Sequence, residues 1–190
     1  MPGITTAYNT TIDSIPHDTI RHSLFLVYGG FNDFSIGGLT TATADRAVAN
    51  LVRIATDLQK RGAHRILVPG LFDMGMTPYY TSQGPGIAAR ATYLSRYANQ
   101  KLVALLPKDA LYFDTYKLYH QMASHPAAFG LTNVTDQCFN NGVVCSQPQQ
   151  YLFWDFVHPT AQVQSFVALE YVLTLARFDQ CKVEGQEVEQ

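Results

Sequence analysis

Charge is scarce in this chain: 15% of its 190 residues are charged, against 47% hydrophobic, and the net charge is −2. That balance excludes a disordered segment and fits one globular domain long enough to bury a real core. Lys and Arg are scattered rather than gathered into a patch, so there is no electrostatic case for nucleic acid. No apolar run approaches the roughly 18–20 residues of a membrane helix, so no transmembrane segment is expected. The first fifteen residues lack the basic-then-apolar layout of a signal peptide, and the chain is expected to be soluble. There is no internal repeat and no Pro-, Gly- or Ser-rich linker to mark a second domain.

Cysteine is also sparse, and three cannot all pair within one chain. Cys138 and Cys145 lie close together in the polar segment 135–149. They either staple a surface loop in an oxidising compartment or remain free thiols. Neither has a second Cys or a His at zinc-finger spacing, so no metal is expected. Asn9-Thr10-Thr11 and Asn133-Val134-Thr135 match the glycosylation acceptor pattern and lean towards export.

What is present alternates between strand and helix. Leu24 to Tyr28 is a continuous apolar run before Gly29-Gly30, as expected of a buried parallel strand. Ala44, Ala47, Val48, Leu51, Ile54, Ala55 and Leu58 then recur at steps of three and four, and Lys60-Arg61-Gly62 ends that helix. Arg65 to Leu71 is the next strand. A second helix carries Ile87, Ala91, Leu94, Ala98, Leu102 and Leu105, and Pro107 closes it. Ala110 to Phe113 predicts a third strand, and 116–122 a further helical stretch. Tyr151 to Trp154 is a short apolar segment, and Phe166, Leu169, Leu173 and Ala176 mark the stripe of a final helix. Residues 179–190 are polar and acidic and are expected to fray. The order predicts an open parallel sheet with helices on both faces and a site outside the carboxyl ends of its strands. Gly30 to Asp33 and Asp73 both fall at that rim.

Two short blocks carry chemistry. In Asp155-Phe156-Val157-His158 an acid and a base stand three residues apart. Histidine is the side chain best suited to move protons near neutral pH, and a carboxylate beside it can fix its tautomer and stabilise the imidazolium. Pro159 suits the first helical position and so predicts His158 near a helix cap. In Gly30-Phe31-Asn32-Asp33, the Asn32 amide can donate to a developing oxyanion, and Gly30 lets backbone approach a substrate closely. The same residues are also ordinary caps and turn formers. Phe31, Phe34, Trp154 and Phe156 are candidates to line a pocket or to pack the core, core packing being expected for at least two.

In combination the two blocks resemble the SGNH/GDSL hydrolases, serine esterases and lipases of flavodoxin-like fold. The likeness also runs through 67–78, 129–138 and the lead-in 151–154, so that it covers about 24–176. The resemblance implies an α/β fold, no cofactor and a small-molecule or lipid ester as substrate. It assigns Asp155 and His158 as the catalytic acid–base pair, with Asn32 and Gly30 at the oxyanion hole. It divides the chain into a segment 1–22, a hydrolase-like domain 23–178 and a polar tail 179–190.

The departures from the family pattern lie upstream. No G-D-S occurs in the chain, and only 29 residues precede Gly30. Ile12-Asp13-Ser14-Ile15 imitates the nucleophile block without its glycine, and Ser23, Ser35, Ser82 and Ser165 have no better context. By the family's topology the first strand and helix are missing, which should leave an apolar sheet edge open to an N-terminal partner chain or to self-association. The alternatives to an active esterase are an inactive truncated homologue and one half of a split hydrolase.

Overall fold

Expected only as an N-terminal segment, 1–22 carries two helices between Ile4 and His22 in the computed structural model, which describes residues 3–187. Helix α1 (Ile4–Thr11) leads through a 3-10 turn at Ile12–Ser14 to α2 (His17–His22). Ile4, Tyr8 and Ile12 recur at steps of four, a helical spacing too short to stand out in the sequence. Ile12 and Ile20 are buried.

Next come β1 (Leu24–Leu26), α3 (Phe31–Gly37), α4 (Thr41–Lys60) and β2 (Arg65–Pro69). After them follow α5 (Pro78–Thr81), α6 (Pro85–Leu105), β3 (Ala110–Phe113) and α7 (Thr115–Ser124). The last elements are β4 (Asn133–Gln137), β5 (Phe139–Asn140), β6 (Val143–Val144), β7 (Tyr151–Phe153) and α8 (Ala161–Glu187). The chain is α/β with a parallel sheet, as its alternating pattern predicts.

Two compact units divide the chain: residues up to 76 with 80–119, and 77–79 with 120 onward. In the first, β1, β2 and β3 run parallel in that spatial order, with Phe25 opposite Ile66 and Ile66 opposite Ala110. The Val27 amide extends the pairing by donating to the Leu67 carbonyl at 2.9 Å. Val27, Ile66 and Val68 join one core with α4 and α6.

All seven expected positions of α4 are buried. Thr40 caps its start by accepting from the Thr43 amide at 3.1 Å. Its end is closed by Gly62 at φ +88°, with Gly62 N–H to Gln59 and Ala63 N–H to Leu58, the paired bonds of a left-handed cap. In α6 the middle four expected positions are buried, while Ile87 and Leu105 at the two ends are exposed. β1 is an edge strand, and Leu24 and Leu26 are 48% and 53% exposed.

In the second unit β4 and β7 pair in parallel and β5 pairs antiparallel with β6. Cys138 and Cys145 form a disulfide across that hairpin, which settles the choice left open by their spacing. Leu131, Leu152, Phe153 and Val163 are buried. The final helix departs from expectation twice. It continues to Glu187, through most of the segment expected to fray, while 188–190 lie outside the described residues. Its expected stripe is not buried either, since Leu169 and Leu173 are both exposed. Phe166 does pack, edge-on against Phe129 with centroids 5.3 Å apart.

Candidate active site

The geometry of the acid–base block follows from how β7 ends. Phe153 pairs with Pro159 as an antiparallel bridge, and the Trp154 amide donates to the His158 carbonyl at 2.8 Å, so 154–158 is a loop pinched at its base. Within it one oxygen of Asp155 accepts the amides of Val157 at 2.8 Å and His158 at 2.7 Å. This is an Asx-type turn, the local structure that an aspartate most readily makes. The carboxylate thereby faces its own loop's histidine: Nδ1 of His158 lies 2.8 Å from one oxygen and 3.1 Å from the other.

Burial of Asp155 works to raise its pKa, but the two amides and the imidazole outweigh it and hold the carboxyl below the usual carboxylate range. An ionised carboxylate on Nδ1 favours the tautomer with its proton on that nitrogen, leaving Nε2 as the atom able to take one. His158 is 69% exposed and its ring makes no other hydrogen bond among the described residues.

The helix cap differs from the expectation drawn from Pro159. Thr160 donates its amide to Leu152 at 3.1 Å and its hydroxyl to Tyr151 at 2.8 Å, so pairing to β7 keeps 159–160 extended. The helix therefore starts at Ala161, and Thr160, not His158, stands at its N-cap.

The other block belongs to the first unit. Gly30 is the N-cap of α3 at φ +109°, and its carbonyl accepts the Asp33 amide at 3.1 Å. A Cβ on Gly30 would sit 3.4 Å from Leu71 and 3.7 Å from Ala47. The turn at positive φ and this packing both favour glycine here. Asn32 lies in the first turn of α3, exposed, and its amide has no hydrogen-bond partner among the described residues. Each motif thus brings its own residues together: Asp155 with His158, and Gly30 with Asn32.

Asp73, placed at the rim by topology, serves the scaffold. It is buried and accepts the Gly75 amide at 2.9 Å and the Thr92 hydroxyl at 2.7 Å. Tyr116 also meets it, and burial, with that carboxylate second, pushes the tyrosine up to about 12. Sequence reasoning missed how α6 holds the loop after β2. Asn99 bonds both the amide and the carbonyl of Leu71 at 2.7 Å, and Ser95 accepts the Met74 amide at 3.1 Å. The available signal was the polar set Thr92, Ser95 and Asn99 at steps of three and four on an otherwise apolar face.

Of the four aromatic candidates, Phe34 is core, and Phe31 stacks on Phe72 with centroids 5.6 Å apart. Trp154 stacks on Phe139, and Phe156 is 53% exposed beside Tyr79. The candidate serines are engaged locally where their bonds are defined. Ser14, Ser23 and Ser165 each donate to a backbone carbonyl three or four residues earlier. A concavity of about 370 Å³ at the carboxyl end of β3, lined by residues including Arg96, Asp114 and Tyr116, contains no serine or cysteine in its walls.

Comparison with known proteins matches residues 6–171 to the family described as GDSL-like lipase/acylhydrolase. Among similar proteins of Arabidopsis thaliana, GDSL esterase/lipase 6 is 26% identical over 77% of this chain and 49% of its own length. A further GDSL esterase/lipase is 31% identical over 74% of this chain and 46% of its own length. The anther-specific proline-rich protein APG is 27% identical over 83% of this chain and 36% of its own length. The chain spans about half the length of the curated relatives it matches, or less.

Proposed function

Because the chain belongs to the GDSL-like lipase/acylhydrolase family, we propose that it supplies the acid–base machinery of a serine ester hydrolase. The observation that carries this reading is the Asp155–His158 pair, with Nδ1 on the carboxylate at 2.8 Å and Nε2 open. In this reading Nε2 of His158 takes the proton of an attacking serine hydroxyl and returns it to the leaving alcohol. Asp155 holds the ring and stabilises the imidazolium. Asn32 is assigned the hydrogen bond to the tetrahedral oxyanion on its motif and its unpaired amide, a role worth about 3–4 kcal/mol where it has been measured. The substrate is a small-molecule or lipid ester, and the nucleophile comes from a G-D-S-type block, which these 190 residues do not contain.

A second reading, a non-catalytic homologue that keeps the pocket alone, is favoured by that missing block. Fluorophosphonate labelling followed by mass spectrometry separates the two. The chain by itself is expected to label weakly or not at all. Joined to a G-D-S-bearing segment of a family relative, it should label at that serine, and His158→Ala should lower the labelling rate at least about 10³-fold. Labelling indifferent to His158 would overturn the acid–base assignment, and a folded joined protein that never labels would favour the non-catalytic reading.

A further inference from the structure

The two Asn-x-Thr patterns have no part in ester chemistry, and the fold treats them differently. Asn9-Thr10-Thr11 ends α1. Its hydroxyls are spent on that helix, Thr10 donating to Thr6 and Ala7 and Thr11 to Ala7, and Oδ1 of Asn9 faces Arg53 at 3.4 Å. Asn133-Val134-Thr135 opens β4, which among the described residues pairs on one side alone, with β7. There Oδ1 of Asn133 accepts the amides of Thr135 at 3.1 Å and Asp136 at 2.8 Å, and the Thr135 hydroxyl approaches the same oxygen at 3.5 Å. Consecutive residues make this Asx turn by themselves, so it needs no other part of the fold. Thr135 and Asp136 are exposed.

The nitrogen of the same side chain lies outside those backbone bonds. Nδ2 of Asn133 donates to the Asp136 carboxylate at 2.8 Å and makes no other hydrogen bond among the described residues. A group attached to Nδ2 leaves Oδ1 in place, and with it both amide bonds of the turn.

Two further observations bear on this segment. Cys138, which closely follows the pattern, is bonded to Cys145. Such a bond forms and persists in an oxidising compartment, of which the secretory lumen is one, and N-linked sugars are added in that lumen. The compartment is read from this bond and not from the N-terminus of the chain. The second observation is a shortage of charge. Between Lys117 and Arg177 there is no Lys or Arg, and the acids are Asp136, Asp155 and Glu170. Over the same stretch Phe139, Val143, Val144, Leu169, Val172 and Leu173 are exposed. Apolar surface with so little charge favours association, and a bulky hydrophilic group on it restores solubility.

We infer that Asn133, in preference to Asn9, carries an N-linked oligosaccharide. In the transfer, Nδ2 gives up a proton and bonds to C1 of the sugar, the bond from C1 to the pyrophosphate of a lipid-linked donor breaks, and the lipid pyrophosphate leaves. Nothing is oxidised or reduced. The modification is independent of the hydrolase reading.

The test starts from the protein purified from the cells that make it. Peptide-N-glycosidase in heavy-oxygen water converts a glycosylated asparagine to a labelled aspartate, and mass spectrometry of unreduced peptides reads that label together with the bond from Cys138 to Cys145. The label is expected at position 133 on chains that hold the disulfide. Made in the same cells, Thr135→Ala should lose the oligosaccharide and Thr135→Ser should keep it, since the pattern accepts either hydroxyl. Alanine retains the backbone amide that bonds Asn133, so the variant removes the pattern and spares the turn. Thr135→Ala should also precipitate at lower concentration than wild type, and Thr11→Ala should not. An unmodified Asn133 on disulfide-bonded chains would overturn the proposal. So would an oligosaccharide at Asn9 alone, or unmodified chains with Cys138 and Cys145 as free thiols.

Discussion

Asp57 and Asp155 are both carboxylates held below the usual range, and they are held by different means. At Asp57 burial opposes ionisation, and the Tyr8 hydroxyl at 2.6 Å and the Arg61 guanidinium at 2.8 Å overcome it. Arg61 reaches on to Asp13, so the set fastens α1 and the following turn to α4. At Asp155 the restraint comes from two amides and one ring of its own five-residue loop. The first unit uses its charge to brace one element against another. The second confines the restraint on Asp155 to its own turn, and the Tyr79 amide ties that loop to distant sequence through the Phe156 carbonyl at 2.9 Å.

The same contrast appears in the helices and offers the largest effect with which to break it. Leu58 in α4 is 1% exposed, while Leu169 in α8 is 53% exposed. Leu58→Ala should cost about 3 kcal/mol in denaturant unfolding, from lost transfer and a residual cavity. Leu169→Ala should stay within about 0.5 kcal/mol. Equal costs would mean that α8 is packed as tightly as α4 and that the two helices do not differ in kind.

A somewhat smaller effect separates the staples. The disulfide closes a loop of seven residues' separation, for which chain entropy gives about 2.5 kcal/mol. Reduction with dithiothreitol should lower amide-exchange protection around 138–154 by about that much and leave α4 and α6 unmoved. Loss of protection spread over both units would show that the hairpin supports the whole chain.

Where the sequence was legible, one rule decided the outcome. Helix α4 alternates apolar and polar positions over five turns, and every expected position is buried. β2, β3 and the centre of α6 follow the same logic of apolar run or period. Legibility failed where short elements offer too few periods, as in α1 and α2, or where an apolar stripe stays exposed among the described residues, as at Leu169 and Leu173. It failed also at Pro159, whose preference for a helix start yields to the bridge with Phe153. At the site, the identities of Asp155, His158 and Asn32 were visible because chemistry restricts which side chains serve. What could not be read was the pair of amides that fixes Asp155, since backbone donors are the same in every sequence.

The smallest effect bears on those amides and sharpens the opening contrast. Because the Asp155 carboxyl is held below the usual range, the unfolded chain takes up this proton first as pH falls. The stabilisation is therefore complete above the unfolded carboxylate value of about 3.9 and is lost as pH drops through the folded value. Asp155→Asn should cost about 1 kcal/mol at neutral pH, and the difference from wild type should close below about pH 4. High salt should hardly change it, because amide donors at 2.7 and 2.8 Å within a part-buried turn are screened little. Asp45 is the control: Lys101 holds it first, then Tyr97, on an exposed surface, so the effect of Asp45→Asn should fade with salt. If both fade alike, the Asp155 carboxylate is held by the His158 charge and not by its own loop, and a restraint confined to the turn is the wrong description of the site.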